Sequence, residues 1–219
     1  MIRILLICTA LQLTLSLFGQ KDIKSFIPSE YDTLYSGVAR GDLNKDGIED
    51  IVMVLGPKWE KQEDRGNKNE DSSLPQRKLI ILFGDKNGYR RAGIADNAIL
   101  CKDCGGVFGD PFAGIDITNG LLNIYHYGGS SWRWSYTHKF RYQQNDFYLI
   151  GKTYQSIWIV KECEKLKAFA GTHFKDENFV TGAYEEKKIS AEDCKLLVNK
   201  KGKQDVKPLI SISKFEIAN

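Results

Sequence analysis

The chain has few of the residues on which common hydrolytic sites depend. It contains three histidines in 219 residues, and neither H-E-x-x-H nor G-x-S-x-G occurs in it. Neither sign of charge predominates, because 31 Lys and Arg stand against 28 Asp and Glu, which argues against a dedicated nucleic-acid binder. Beyond the first twenty residues no stretch is apolar enough for a membrane-spanning helix. A binding protein is therefore expected rather than an enzyme.

Residues 1–20 have the pattern of a signal peptide. One basic residue, Arg3, precedes an apolar run broken by Thr and Gln, and Gly19 follows. This order is typical of a secretory signal, and the run is shorter than the roughly 20 residues that a membrane helix needs. Without Arg3, 30 basic residues stand against 28 acidic ones, so the mature charge is +2. We expect a secreted or periplasmic protein, whose oligomeric state the sequence does not indicate.

Four cysteines follow the signal peptide, at Cys101, Cys104, Cys163 and Cys194. An even number in an oxidising compartment favours two disulfides, although four cysteines allow three pairings. A small ring between Cys101 and Cys104 would leave Cys163 and Cys194 to pair in the C-terminal third. The alternatives are a redox Cys-x-x-Cys, which normally opens a helix and not a Gly-Gly pair, and a zinc site, which would need a second close pair.

Strand patterns dominate the mature chain and predict an all-β, mainly antiparallel fold. Residues 51–55 and 78–83 are short apolar runs bounded by turn residues, and the charge-rich residues 57–77 between them predict a surface loop. Asn119-Gly120 predicts a tight hairpin. The C-terminal part is expected to hold strands at residues 157–160, 178–184 and 209–215, and a short helix or a strand at 189–199.

Residues 132–143 form the clearest strand pattern in the chain. Aromatic rings and His138 alternate with polar side chains along it, and a turn at residues 143–146 leads into a partner strand. The rings of Trp132, Trp134 and Tyr136 then have two interpretations. They are either part of the core, which is favoured because large rings contribute strongly to burial, or a ligand platform on which a sugar ring or an apolar ligand stacks.

An alternative function is that of a secreted hydrolase. Its site would lie near His126 and the loop that begins at Gly128 and ends at Ser131. Ser130, His126 and Asp116 would form a catalytic triad only if the fold brought them together, because triads are recognised by geometry and not by sequence order. Histidines inside strand patterns are more often part of a sheet than catalytic bases, and the Gly-Gly-Ser-Ser loop is more simply a connection between strands.

The most specific motif is Asp42-x-Asn44-x-Asp46-Gly47-x-x-Asp50. Calcium binds six to eight oxygen ligands, and oxygens on alternate residues of a tight loop can surround one point. Gly47 permits the sharp turn that such a loop needs. An EF-hand is excluded, because its twelfth position would be Met53 and a strand follows. The competing interpretation is an Asx-rich turn without a metal ion, since Asp, Asn and Gly favour turns for local reasons.

This stretch resembles the calcium loop of FG-GAP/VCBS-type repeats, which occur in integrin-like β-propellers and in many secreted bacterial proteins. The resemblance covers about residues 35–90 and occurs in one copy, so a complete propeller is not expected. It implies Ca²⁺ as the cofactor, bound by the side chains of Asp42, Asn44, Asp46 and Asp50 and by the carbonyl of Ile48.

The expected organisation is therefore a repeat-like β unit packed with an aromatic-rich meander. The β unit spans residues 21–100 and includes the charged loop 57–77. The meander and the disulfide-linked C-terminal part span residues 101–219, in one domain with the first unit or in a separate one. The expected function is that of a secreted calcium-binding module whose partner is a surface glycan or a protein.

Overall fold

The structure is a computed structural model that describes residues 22–61 and 76–217. Its strands form two antiparallel sheets, which confirms the all-β prediction, and they do not form a complete propeller. The first sheet has the order β1-β2-β3-β4, with β1 Tyr31–Gly41, β2 Asp50–Pro57, β3 Lys78–Gly84 and β4 Tyr89–Ala95. The second sheet has the order β11-β10-β9-β8-β7-β6-β5, with β5 Phe112–Thr118, β6 Leu121–Gly129, β7 Trp132–Gln143, β8 Asp146–Cys163, β9 Ala168–Asn178, β10 Ala183–Ile189 and β11 Leu196–Lys203.

The first sheet is covered on both faces, which explains why β2 and β3 are continuous apolar runs. Every residue of β2 is buried. Val52 and Val54 face the second sheet, whereas Ile51 and Met53 face the opposite side. That opposite side is covered by side chains that precede β1, namely Ile23, Phe26 and Ile27.

One core lies between the two sheets. It joins side chains of β2 and β3 to side chains of β6, β7 and β8, and the C-terminal segment adds two more. The largest contributions come from Phe83, Phe140, Phe147 and Phe215. Described residues of both regions, 21–100 and 101–219, therefore contribute side chains to one core. Within the described residues no helix is long and apolar enough to cross a membrane.

The C-terminal strand predictions were partly wrong. Residues 179–182 form the turn between β9 and β10, so of the expected strand only Asn178 and residues 183–184 lie in strands. The side chain of Asn178 accepts hydrogen bonds from the backbone of Val180 and Thr181, and Gly182 takes a positive φ of 72°. Residues 209–215 contain an isolated bridge at Ser211 and a 3-10 helix. Residues 157–160 lie inside the long strand β8, and residues 189–199 lead from the end of β10 through a turn into β11.

The predicted signal peptide and most of the charged loop lie outside the described residues. The described ends of that loop are not simply solvated. Residues Lys58–Lys61 form a 3-10 helix, in which Glu60 is buried, and Arg77 is buried just before β3.

Candidate ligand platform and carboxylate loop

The inward face of β7 is covered along only part of its length. His138 and Phe140 are buried and both contact Phe215 of the C-terminal segment. Trp134 and Tyr136 are partly buried, and Trp132 is 47% exposed. The first sheet and the C-terminal segment cover the last half of this face, and the first half extends beyond them. The rings that sequence analysis assigned by preference to the core are therefore largely outside it.

The neighbouring strand β8 places further rings on the same face. Trp132 lies opposite Trp158 and Tyr136 lies opposite Tyr154, so each pair shares a face of the sheet. The rings of Trp132 and Trp158 are stacked with centroids 6.2 Å apart, and those of Tyr136 and Tyr154 are 5.0 Å apart. We call this set the aromatic platform; it consists of Trp132, Trp134, Tyr136, Tyr154 and Trp158.

A shallow pocket of about 410 Å³ opens on this surface. Its walls include Trp132, Trp134, Tyr136 and Tyr154, together with Leu100, Cys104, Arg133, Ser156 and Ile217. The pocket thus combines ring surfaces with a few polar groups and is open to solvent.

Two glycines leave room for the tryptophan rings. A Cβ atom on Gly128 would lie 2.5 Å from the ring of Trp134, and one on Gly171 would lie 2.3 Å from the ring of Trp132. Gly171 also has a φ of 63°, in the left-handed region that glycine adopts without strain. Both indoles therefore lie against backbone that carries no side chain.

The structure does not bring the candidate hydrolase residues together. His126 is buried, and its Nε2 accepts a hydrogen bond from the backbone of Leu100 at 3.3 Å. Ser130 is exposed in the connection between β6 and β7. Asp116 lies opposite Asn123, which is on the other face of β6 from His126.

Asp116 has hydrogen-bond partners of its own on that outer face. Its carboxylate accepts hydrogen bonds from Tyr125 Oη at 2.6 Å, Asn123 Nδ2 at 2.7 Å and Thr118 Oγ1 at 2.9 Å. Burial raises the pKa of Asp116, but these hydrogen bonds outweigh burial and hold the pKa below its usual value. Burial, with the hydrogen bond to Asp116, raises the pKa of Tyr125 to about 12.

The carboxylate loop, residues 42–50, connects β1 to β2. Asp42 Oδ1 accepts hydrogen bonds from the backbone of Lys45 and Asp46, and Asp42 Oδ2 accepts one from Gly47. Asn44 Oδ1 accepts a hydrogen bond from the same Asp46 N–H, so the Asp42 and Asn44 oxygens converge on one point. Lys45 and Gly47 have positive φ values of 64° and 81°, which produce the tight turn.

The other expected ligands have structural partners in this loop. Asp46 Oδ1 accepts a hydrogen bond from Ile48 N, and Asp46 Oδ2 accepts one from the Asn44 amide. Asp50 is fully buried and accepts hydrogen bonds from the backbone of Leu43, Asn44 and Gly84. Burial raises the pKa of Asp50, while these backbone hydrogen bonds oppose the rise. Asp50 therefore ties the loop to the end of β3.

The side-chain oxygens of Asp42, Asn44 and Asp46 suit calcium chemically, and each of them except Asp42 Oδ1, which accepts two hydrogen bonds, has a second lone pair. No group of three or more His, Cys, Asp or Glu side chains in residues 22–61 and 76–217 is arranged to hold a metal ion. Calcium binding therefore stays a prediction.

All four described cysteines form disulfides. Cys101 is bonded to Cys104, and Cys163 is bonded to Cys194, with Cα–Cα distances of 5.2 Å and 5.5 Å. This is the favoured pairing, and it leaves no described thiol to bind zinc. The second disulfide joins the end of β8 to the turn between β10 and β11.

An ion-pair cluster that sequence analysis missed lies beside the platform. Arg77 is 2% exposed and donates to both carboxylate oxygens of Glu60 and of Asp110. It also donates to the backbone carbonyl of Leu100, a residue that lines the platform pocket. Burial lowers the pKa of Arg77, but these hydrogen bonds outweigh burial and raise the pKa above its usual value. The guanidinium thus joins three chain segments, with bidentate contacts to Glu60 and Asp110 and a single hydrogen bond to Leu100.

Fold and site define an all-β protein with two antiparallel sheets and an exposed aromatic surface on the larger one. No protein-family model matches the chain, and no match was found among curated proteins or among solved structures. The resemblance to FG-GAP/VCBS-type repeats therefore rests on the residues of the carboxylate loop and its flanking strands alone.

Proposed function

We propose that this protein is an exported binding module whose ligand surface is the aromatic platform, and that its ligand is a surface glycan. The observation that carries the proposal is the position of Trp132, Trp134 and Tyr136 around one open pocket, outside the core between the sheets. Large rings contribute most to stability when they are buried, so a group of them beside an open pocket favours an interaction surface. The two disulfides agree with export to an oxidising compartment.

A glycan suits this surface because the C–H-rich face of a sugar ring packs against the face of an aromatic ring. Trp132 is the most exposed ring of the platform and the one most accessible to a ligand. Trp134, Tyr136 and Tyr154 contact one another in tilted pairs, with Trp134 and Tyr136 5.5 Å apart and Tyr136 and Tyr154 5.0 Å apart. Rigid rings lose little conformational entropy on binding, which favours affinity.

Calcium binding at the carboxylate loop is the second part of the proposal. Its support is the convergence of the Asp42 and Asn44 oxygens on the Asp46 backbone, together with the resemblance to FG-GAP/VCBS-type loops. The ion would neutralise the neighbouring carboxylates and fix the turn between β1 and β2. Its role would be structural, because the loop and the platform involve different residues.

The platform is tested by screening the oxidised protein on a glycan array beside two variants. Trp132→Ala should lose glycan binding, because it removes the most exposed ring. Tyr35→Ala is the matched control, since Tyr35 is 96% exposed in β1 and contributes nothing to the platform. Equal binding by both variants, or no glycan bound by the wild type, would contradict the proposed ligand surface.

The calcium site is tested by thermal melts in calcium and in chelator. A ligand that binds only the folded state raises the melting temperature, so calcium should stabilise the wild type and not Asp46→Ala. An equal response of both proteins, or no response in the wild type, would leave the loop as a hydrogen-bonded turn.

A further inference from the structure

We propose that the glycan is acidic and that its carboxylate or sulfate group pairs with Lys152 while a sugar ring stacks on the aromatic platform. This inference rests on the proposed function, because it specifies the ligand of the same surface. It assigns to the site a charged residue that lies outside the pocket wall but contacts one of its rings.

Lys152 lies at the border of the platform, on the inward face of β8. Its position is opposite His138 of β7 and opposite Glu177 of β9. The side chain is partly buried, and its Nζ lies 4.9 Å from the ring centroid of Tyr136, which lines the platform pocket. An anion held by Lys152 would therefore lie one ring away from the pocket.

The ammonium group of Lys152 has no hydrogen bond and no ion pair with any described residue, apart from its contact with the ring of Tyr136. Burial lowers the pKa of Lys152, and neighbouring Lys175 lowers it further, while Glu177 opposes the shift. A partly buried cation without a partner is costly. A ligand anion would compensate this cost on binding.

Two glutamates on the same face, Glu177 and Glu186, already have cations. Glu177 forms an ion pair with Lys175 at 2.7 Å and accepts a hydrogen bond from Gln204. Glu186 pairs with Lys188 at 2.9 Å and with Lys200 at 3.4 Å. These two glutamates face four lysines when Lys152 is included. Asp205 and Lys207, in the segment that follows β11, balance each other in charge, so an excess of positive charge remains that favours an anionic ligand.

The face also offers room for more than one sugar. A second pocket of about 550 Å³ lies between β9 and the segment that follows β11, and its wall includes Glu177, which lies opposite Lys152. Lys175, Glu177 and Phe179 line it, as do residues 204–205 and 207–210. Because Lys175 lies opposite Tyr154 of the platform, both pockets open on one face of the second sheet. An oligosaccharide could therefore extend from the aromatic platform across Lys152 into the second pocket.

The test is a titration of the oxidised protein with three oligosaccharides of equal length: oligogalacturonate, a heparin oligosaccharide and a neutral cello-oligosaccharide. The wild type should bind at least one acidic probe about tenfold more tightly than the neutral one, the effect of one charge-assisted hydrogen bond. The galacturonate and heparin arms distinguish a carboxylate from a sulfate. The preference should fall as salt is raised.

Lys152→Gln should abolish the acidic preference and leave binding of the neutral probe unchanged. Lys139→Gln is the matched control, because Lys139 is a partly buried lysine of the adjacent strand that points to the opposite face. Equal affinity for acidic and neutral probes, or an unchanged preference in Lys152→Gln, would overturn this inference and leave the proposed glycan surface intact. Binding of none of the three probes would overturn both.

Discussion

Acid should destabilise this protein through two buried histidines. His126 and His138 are 1% and 2% exposed. Burial lowers the pKa of His126 to about 4, with Arg77 lowering it further and Asp110 opposing the shift. Burial also lowers the pKa of His138 to about 3, and Lys152 adds to the shift. In the unfolded chain both imidazoles would take up a proton near their ordinary pKa of 6.5.

The sign and the size of the effect follow from proton linkage. The folded state resists protonation of the two histidines. Their neutral forms therefore contribute fully to the free energy of unfolding above pH 6.5, and this contribution is lost as the pH falls toward 4. At pH 5 each unfolded imidazole is almost fully protonated and each folded one almost neutral, so each histidine lowers the free energy of unfolding by about 2 kcal/mol. The pair accounts for about 4 kcal/mol, a large share of the stability of an ordinary domain.

Urea unfolding at pH 7 and at pH 5 measures this loss. The double variant His126→Gln/His138→Phe should lose little stability between the two pH values, since Gln keeps an acceptor for Leu100 and Phe keeps a ring beside Phe215. If that variant does not fold, NMR titration of the wild-type imidazoles replaces it, and both should stay neutral at pH 5. A variant with the full wild-type pH dependence, or imidazoles that titrate near 6.5, would refute the reasoning.

Three further changes test the contacts that position the loop and the platform. Asp50→Ala leaves three backbone N–H groups without their acceptor and should cost about 3 kcal/mol in urea unfolding; a loss under 1 kcal/mol would contradict that role. Arg77→Met leaves Glu60 buried without its partner and should lower the free energy of unfolding by about 3–5 kcal/mol. Adding Glu60→Gln to this variant should restore part of the loss, and additive losses in the double variant would contradict the pairing. Gly171→Ala should displace the indole of Trp132 and change the tryptophan emission; an unchanged spectrum would contradict their contact.

Short-range turn chemistry made parts of the fold predictable from sequence. Asn119 and Gly120 both have positive φ, and Thr118 pairs with Leu121, as the tight hairpin requires. The turn at residues 143–146 likewise joins β7 directly to β8, with Gln143 opposite Asp146. The disulfide pairing was predictable for a related reason, because only one pairing closes the short ring at Cys101.

The second half of the platform could not be predicted, because a β-bulge changes the register of β7 and β8. Counting back from the turn would place Trp132 opposite Ile157. Phe140 pairs with Leu149 but Lys139 pairs with Gly151, so Ile150 is an extra residue in β8. A shift of one residue exchanges the faces of a strand, and it brings Trp158 onto the face of Trp132.

Sequence periodicity also could not show how far along β7 the packing of other elements against it extends. The alternation from Trp132 to Tyr142 is regular, yet of its rings only those of His138 and Phe140 are fully buried. The loop composition was misleading in a similar way. Charges around Arg77 predict a solvated segment, but Glu60 and Asp110 converge on its guanidinium from distant parts of the chain. Such convergence depends on tertiary structure.

The most direct test of the aromatic platform is an NMR titration of the four tryptophan indole N–H groups. The chain has four tryptophans, of which Trp132, Trp134 and Trp158 belong to the platform and Trp59 lies in the 3-10 helix after β2. Titration with an oligosaccharide bound on the array should shift the indole signals of Trp132 and Trp134 and leave that of Trp59 unchanged. Binding that leaves both platform signals unchanged would contradict the proposed ligand surface.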